Sequence, residues 1–269
     1  MKRAPLISVV MPALNEEANV GPAINNTLKA FDDLDIDGEL IVVDDGSTDA
    51  TGAVVREHMA KDDRVSLRCH DAPRGIGAAF WEGVDHARGP LVCMFPGDNE
   101  NDPWESLRYI ELLDQVDIVI PFVFNRQVRS LFRNGLSFAY RFIINTTFLV
   151  NFNYTNGTVI YRADVLKGLP FRSTGFFFQT DILVRLVKQG YLFAEVPYRL
   201  ELRPEGISKA VTFPSFVRVV KGYLRLVRDT YGGDDAVALR RYVEGSQTAR
   251  RKGAGGRRVG AERGAKGRP

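Results

Sequence analysis

The chain has 269 residues, 45% hydrophobic and 26% charged, an ordinary globular composition with apolar material for a sizeable core. No stretch reaches the ~18 uninterrupted apolar residues of a membrane span, and the opening MKRAPLISVVMPALNEE turns polar too early for a signal peptide. The net charge of +3 is uneven, because residues 245–269 carry eight Lys/Arg and one acid, Glu262, which makes that segment +7 and the rest of the chain −4.

Residues 7–11, ISVVM, are a β-branched run that reads as the first strand, with Pro12 as its stop. Asn15-Glu16-Glu17 then opens a helix toward Leu28, with Val20, Ile24 and Leu28 on one face. Residues 40–43, LIVV, are the second strand, and it ends in Asp44-Asp45-Gly46-Ser47-Thr48-Asp49. That stretch reads as a turn with an N-cap for a helix beginning near Thr51. It also reads as a pair of carboxylates accepting from the base and ribose of a nucleotide. Residues 65–69 are the third strand. Arg74-Gly75-Ile76-Gly77 starts a helix through Ala87, and a Gly-rich turn there lets backbone N–H groups approach phosphate. A dinucleotide fingerprint would instead follow the first strand. The turn in that place, Pro12-Ala13-Leu14-Asn15-Glu16, has no glycine, which argues against a hydride-transfer Rossmann enzyme.

Residues 91–103, LVCMFPGDNENDP, join a buried-type strand (91–95) to Asp98, Glu100 and Asp102, a carboxylate on every second residue. The Pro-Gly pair turns the chain outward at the strand's carboxyl end, the edge where open α/β sheets bind ligands. Two readings follow: oxygen ligands for Mg²⁺ or Mn²⁺ gripping a diphosphate, or an acidic turn capping a helix that starts near Pro103. The two cysteines, Cys69 and Cys93, sit in or beside apolar runs without metal-type spacing, and they suggest a reduced, cytoplasmic protein. Residues 117–124, DIVIPFVF, are a fifth strand, and Pro121 within it points to a sheet edge or a bulge. Strands alternating with helices imply a mostly parallel α/β sheet.

The second half has a different texture. Residues 127–152 mix Phe, Leu, Ile and Tyr with Arg129, Arg133 and Arg141, which fits a helical hairpin, either packed in the core or lying at a lipid interface. Asn156-Gly157 is a turn before a strand at 158–161. Gln179-Thr180-Asp181 leads into a helix stopped by Gly190, strands 193–196 and 198–202 flank Pro197, and residues 213–231 read as a basic helix. Between them, Arg203-Pro204-Glu205-Gly206-Ile207-Ser208-Lys209 sets two cations and a hydroxyl around a glycine, a phosphate-gripping composition. The Gly- and Arg-rich segment from about residue 245 has no aromatic residue and is expected to be disordered, a solvated tail or one drawn to an anionic surface.

In their order these segments resemble the family-2 glycosyltransferases of the GT-A fold, over roughly residues 6–230, and the polyprenyl-phosphate (dolichol-phosphate) sugar synthases within them. Pro12-Ala13-Leu14-Asn15-Glu16 is similar to the family's opening Pro-x-x-Asn-Glu, Val43-Asp44-Asp45-Gly46-Ser47 to its acidic nucleotide-binding turn, and Arg74-Gly75-Ile76-Gly77 to its Lys/Arg-Gly-x-Gly segment. Arg203-x-x-Gly206-x-Ser208-Lys209 matches the subgroup's loop. The chain departs from the family at the metal motif, where Asp-x-Asp falls on Pro96-Gly97-Asp98 and the first Asp is absent.

The resemblance implies a GT-A domain over residues 1–231, with a donor half to about 125, an acceptor half from 126, and a C-terminal extension over 232–269. It implies inverting transfer from a GDP- or UDP-sugar to a polyprenyl phosphate, the alternatives being transfer to a soluble or glycan hydroxyl, or a non-catalytic sugar-nucleotide-binding relative whose metal site is lost at Pro96. Pro12, Ala13, Asn15, Glu16, Asp44, Asp45, Arg74, Gly77, Gly97 and Asn99 would line the donor pocket, and Asp98, Glu100 and Gln179 would hold Mg²⁺ or Mn²⁺. Asp181 is the candidate base for an alcohol acceptor, while Arg133, Arg203, Ser208 and Lys209 would position a phosphate. The expected setting is cytoplasmic and peripheral on an anionic membrane surface, with room for a separate membrane-protein partner and no nucleic acid.

Overall fold

The computed structural model describes residues 6–125, 131–199, 213–232 and 242–253. Seven strands form one sheet in the order β3-β2-β1-β4-β6-β5-β7. They are β1 (Ile7–Ala13), β2 (Gly38–Asp44), β3 (Val65–Cys69), β4 (Leu91–Met94), β5 (Ile118–Val123), β6 (Ile160–Arg162) and β7 (Phe193–Tyr198). Only β6 runs against its neighbours, pairing antiparallel with β4 and β5. All the other strands therefore share one carboxyl edge.

Among the described residues the sheet is flanked by α1 (Val20–Asp33), α2 (Thr51–Met59), α3 (Ile76–His86), α4 (Pro103–Leu107), α5 (Leu131–Phe148), α6 (Ala163–Lys167), α7 (Phe178–Lys188) and α8 (Phe213–Tyr231). Alternate strand residues point to opposite faces. Val10, Ile41, Val92 and Ile118 meet Phe80, Val84 and Leu183 on one face. Val9, Leu40, Val42 and Cys93 meet Ile24 and Phe31 on the other. Both faces are covered, so the strands read as continuous apolar runs rather than alternating ones. Neither cysteine is in a disulfide.

Four expectations need correction. β7 runs unbroken through Pro197, which pairs in register with Phe122, rather than being split there into two strands. Pro12 does not stop β1. It pairs in register with Val43, and by then β4 has ended at the Val10–Met94 pair, so a residue without N–H is tolerated. Pro121 lies in an interior strand, yet β6 reaches only Ile118 and Val119, which leaves that side of β5 without a ladder partner at Pro121. Residues 131–148 form one helix rather than a hairpin. It ends where Leu149 takes a positive φ and the Asn145 side chain closes a two-way bond with Phe152.

The disorder expected from about residue 245 is also placed too early. Ser246, Gln247 and Thr248 are buried, and a short helical stretch follows over 247–253. The buried Asp117 carboxylate accepts from Gln247 N (2.7 Å), Thr248 N (3.0 Å) and the Thr248 hydroxyl. That carboxylate acts as an N-cap supplied from another part of the chain. Residues 254–269 lie outside the described residues.

Candidate active site

The carboxyl edges of β1, β2 and β4 meet at one place. Asp45 N donates to Ala13 O (2.8 Å), and Gly97 N donates to Pro12 O (2.9 Å), so the three exits are tied to one another. The loop after β1 is then clamped to the loop after β2. Asn15, at φ 54°, donates from N to Ser47 Oγ (2.9 Å), and its side-chain oxygen accepts from Thr48 N (2.8 Å). Glu16 N donates to Thr51 Oγ1 (2.8 Å), and its carboxylate accepts from Asn19 Nδ2 (2.8 Å). Pro12, Ala13, Asn15, Glu16, Asp44, Asp45 and Gly97 thus share one edge.

The two carboxylates of the acidic turn have separate tasks. Asp44 Oδ1 accepts from Ser47 N (2.9 Å) and shapes the turn. Asp45, 4% exposed, reaches the segment after β3: Oδ1 accepts from Arg74 N (2.8 Å) and Oδ2 from Gly75 N (2.8 Å). Its Oδ1 also lies 2.6 Å from His70 Nδ1, and both side chains are buried. Sequence reasoning missed His70. The available signal was a histidine just beyond a strand's carboxyl end, beside a paired-carboxylate turn. Gly75 takes φ +100°, and Gly77 N donates to Thr174 O (3.0 Å) at so close an approach that a Cβ would fall 2.6 Å from the Thr174 carbonyl carbon. The N–H groups of Arg74, Gly75 and Gly77 are therefore engaged within the protein. The turn is a stapled support rather than a set of open phosphate donors.

In the acidic stretch after β4, Asp98 is half-buried and Glu100 exposed, and Asp98 Oδ1 accepts from Glu100 N (3.0 Å). Asn99, at φ 58°, accepts from Asn26 Nδ2 (2.9 Å). Asp102 takes the capping role and accepts from Trp104 N (2.9 Å) at the start of α4. Among the described residues no three His, Cys, Asp or Glu side chains converge as a metal cluster. Mg²⁺ commonly uses one or two carboxylates plus substrate phosphates and water. The Asp98–Glu100 turn supplies two carboxylates of that kind beyond the end of β4.

Helix α7 begins beside this edge. Gln179 is buried, and its amide donates to Gly157 O (2.8 Å). Asp181 is buried, with Oδ2 3.0 Å from Arg185 Nε and Oδ1 3.2 Å from Arg185 Nη2. Burial pushes its carboxyl up from the usual range, and Arg185 opposes that shift. Both oxygens are committed to the ion pair, which sets Asp181 against the role of free general base. Near it opens a cleft of about 350 Å³, lined by Arg74, Phe177, Asp181, Arg218, Lys221 and Arg225 among others. Sequence reasoning did not single out its α8 cations, because the strongest phosphate-type motif was the 203–209 loop. Arg203, Ser208 and Lys209 lie outside the described residues, as does the Arg133 side chain, although Arg133 belongs to α5.

A mostly parallel sheet with an acidic, loop-clamped carboxyl edge defines an α/β protein of the kind that binds ligands outside its strand ends. Residues 8–170 match the family model described as glycosyl transferase family 2, and the chain belongs to that family. It is 30% identical over 220 residues to polyprenol monophosphomannose synthase of Mycolicibacterium smegmatis, covering 75% of this chain and 79% of that protein. It is 32% identical over 166 residues to dodecaprenyl-phosphate galacturonate synthase of Rhizobium johnstonii, covering 60% of this chain and 49% of that protein. The chain thus spans about half the length of the Rhizobium protein. In fold it is similar to glucosyl-3-phosphoglycerate synthase of Mycobacterium tuberculosis in complex with uridine diphosphate, with TM-score 0.64, 22% identity, and 83% of this chain and 80% of that chain covered. The fold is GT-A-like, a mixed seven-stranded sheet flanked by helices.

Proposed function

We propose that this glycosyltransferase moves a sugar from a nucleotide-diphosphate sugar to a polyprenyl phosphate. The observation that carries the reading is Asp181. An alcohol acceptor needs a base to take its proton, and the carboxylate best placed in the sequence for that task is held on both oxygens by Arg185. A phosphate acceptor arrives already anionic and needs cations instead. The likeness to polyprenol monophosphomannose synthase across three quarters of the chain supports the same acceptor class.

In this reading the acceptor phosphate attacks the anomeric carbon opposite the departing diphosphate, and the configuration inverts. Asp44 and Asp45 shape the nucleoside end of the pocket, with Pro12 and Glu16 beside it. Asp98 and Glu100 would hold Mg²⁺ or Mn²⁺, which when bound stabilises the charge on the leaving diphosphate. Structural neighbours of the same fold were solved with Mn²⁺ and UDP-glucose, and with Mg²⁺ and UDP, which accords with a divalent cation beside a nucleotide-sugar donor, a GDP- or a UDP-sugar.

The setting would be a membrane surface. No helix among the described residues is long and apolar enough to cross a bilayer. Helix α5 instead exposes Leu136, Phe138, Phe142 and Ile143, with Phe138 and Phe142 stacked at 6.4 Å. An apolar stripe of this kind suits the headgroup boundary of a cytoplasmic leaflet.

A second reading, transfer to a soluble acceptor, draws on the likeness in fold to a synthase solved with phosphoglyceric acid. A donor screen separates the two. Nucleoside diphosphate release is followed across UDP- and GDP-sugars with Mn²⁺, adding either a polyprenyl phosphate or soluble acceptors. Release stimulated only by the polyprenyl phosphate supports the first reading, and release stimulated only by soluble acceptors replaces it with the second.

A further inference from the structure

The cleft between α8 and the 171–175 segment has more cations than its acids can balance. Arg172 is paired with Asp85 at 2.7 Å and lies over Trp81. Arg225 stacks on Phe171, 3.7 Å from ring centroid to guanidinium, and is 3.9 Å from Asp229. Arg74, Arg218 and Lys221 face the same cleft, and none has an acidic partner among the described residues. Asp181, on the cleft wall, is already neutralised by Arg185.

Arg218, Lys221 and Arg225 follow one another at helical spacing, so they form one stripe along α8. Gly222 brings that stripe close to the domain, since a Cβ there would fall 2.9 Å from the Phe177 ring. Arg74, Arg218, Lys221 and Arg225 are solvent-exposed and line one open cleft, so an anion seated there could take charge-assisted hydrogen bonds from several of them at once. A volume of about 350 Å³ suits a phosphate with a small organic portion, being of ordinary ligand-pocket size. Arg74 also ties the cleft to the donor edge, because its own N–H is held by Asp45.

We infer that this cleft is a phosphomonoester site, with Arg218 and Lys221 as its principal contacts and Arg74 at the end facing the donor. It rests on the transferase reading for the identity of the phosphate's carrier, which is either a lipid headgroup or a soluble phosphate ester.

The test titrates inorganic phosphate and citronellyl phosphate, a short soluble prenyl phosphate, into the full chain by calorimetry. Both should bind the wild type, and R218Q/K221Q should weaken both by about tenfold or more, which is about 1.4 kcal/mol. R218K/K221R should restore most of the affinity. R228Q removes a charge from α8 outside the cleft and should leave affinity within about twofold, well inside that same 1.4 kcal/mol. UDP affinity, measured on the same variants, reports on the fold and the donor edge and should not move. The inference is overturned if neither ligand binds the wild type, or if R218Q/K221Q binds both as the wild type does. Displacement of bound phosphate by phosphatidylcholine vesicles carrying a polyprenyl phosphate identifies a lipid source, and displacement by soluble esters alone identifies a soluble one. Phosphate binding that follows the variants without sugar transfer to any prenyl phosphate would uphold the cleft and reject the proposed acceptor.

Discussion

Asp45 Oδ1 and His70 Nδ1 lie 2.6 Å apart, both side chains buried, and the same carboxylate also holds the N–H groups of Arg74 and Gly75. One side chain from the exit of β2 therefore fixes the segment that leads into α3. This linkage makes Asp45 a structural support of the sheet edge as well as the contact proposed for it in the donor pocket. Asp45→Asn should lose acceptor capacity, since an amide has only one oxygen, leaving a buried donor short at a cost of ~1–3 kcal/mol. The expected result is a lower Tm together with a donor KM raised more than kcat is lowered. Thermal unfolding and steady-state kinetics check it, and an effect confined to kcat would contradict it.

The metal assignment predicts a different pattern at Asp98. Its side chain is half-buried at the sheet edge, and its Oδ1 accepts from Glu100 N within the same turn. Asp98→Ala should leave the fold intact and lower turnover by ~10²-fold or more, the scale expected when stabilisation of leaving-group charge is lost. Glu100→Ala should act in the same direction and less strongly, because Glu100 is exposed. Near-normal turnover of the Asp98 variant in saturating Mn²⁺ would remove it from the ligand set.

Asp117 and Thr248 offer a test at the opposite end of the sheet. Asp117 precedes β5, so it lies at the amino edge, away from the donor pocket. The Thr248 hydroxyl donates to its carboxylate and accepts from Leu192 N at 2.9 Å. Thr248→Val should cost ~1–3 kcal/mol by leaving both groups short of a partner. Ending the chain at residue 245 should cost more, because three donors to a buried carboxylate go at once. Neither change should alter donor KM. Denaturant unfolding with donor titration measures both.

The contrast between these sites explains what the sequence made legible. The strands were readable because β1, β2 and β4 are covered on both faces and carry long apolar runs, the buried Ser8 and Glu39 of β1 and β2 bonding each other at 2.6 Å. The residues proposed for the donor edge stand out because they follow directly on strand ends. Asp102 shows what local pattern leaves open: spacing allowed it as a ligand or as the cap of a helix starting near Pro103, and it is the cap. Residues 246–248 were misread for a different reason. They are small and polar, and their partner Asp117 lies some 130 residues earlier. No local periodicity reports a bond across such a distance. His70 and the α8 cations of the cleft likewise acquire meaning only from what the fold places beside them.

The membrane prediction draws on the face that α5 presents. Phe138 is 59% exposed and Phe142 60%, and Leu224 on the neighbouring α8 is equally open. Burying one such side chain in lipid is worth roughly 1.5–3 kcal/mol. Phe138→Ser should therefore weaken vesicle binding by about tenfold, and Phe138→Ser with Phe142→Ser by more. The +7 segment over residues 245–269 should add a salt-sensitive attraction of about 1 kcal/mol per basic residue near an anionic surface. Co-sedimentation with anionic liposomes at low and high salt separates the two contributions, since the apolar part survives salt and the basic part does not. Arg203→Ala completes the experiment: it should impair transfer to polyprenyl phosphate while leaving donor affinity unchanged. A protein that ignores anionic liposomes at low salt and glycosylates a soluble alcohol equally well would displace the lipid-linked reading in favour of a soluble acceptor.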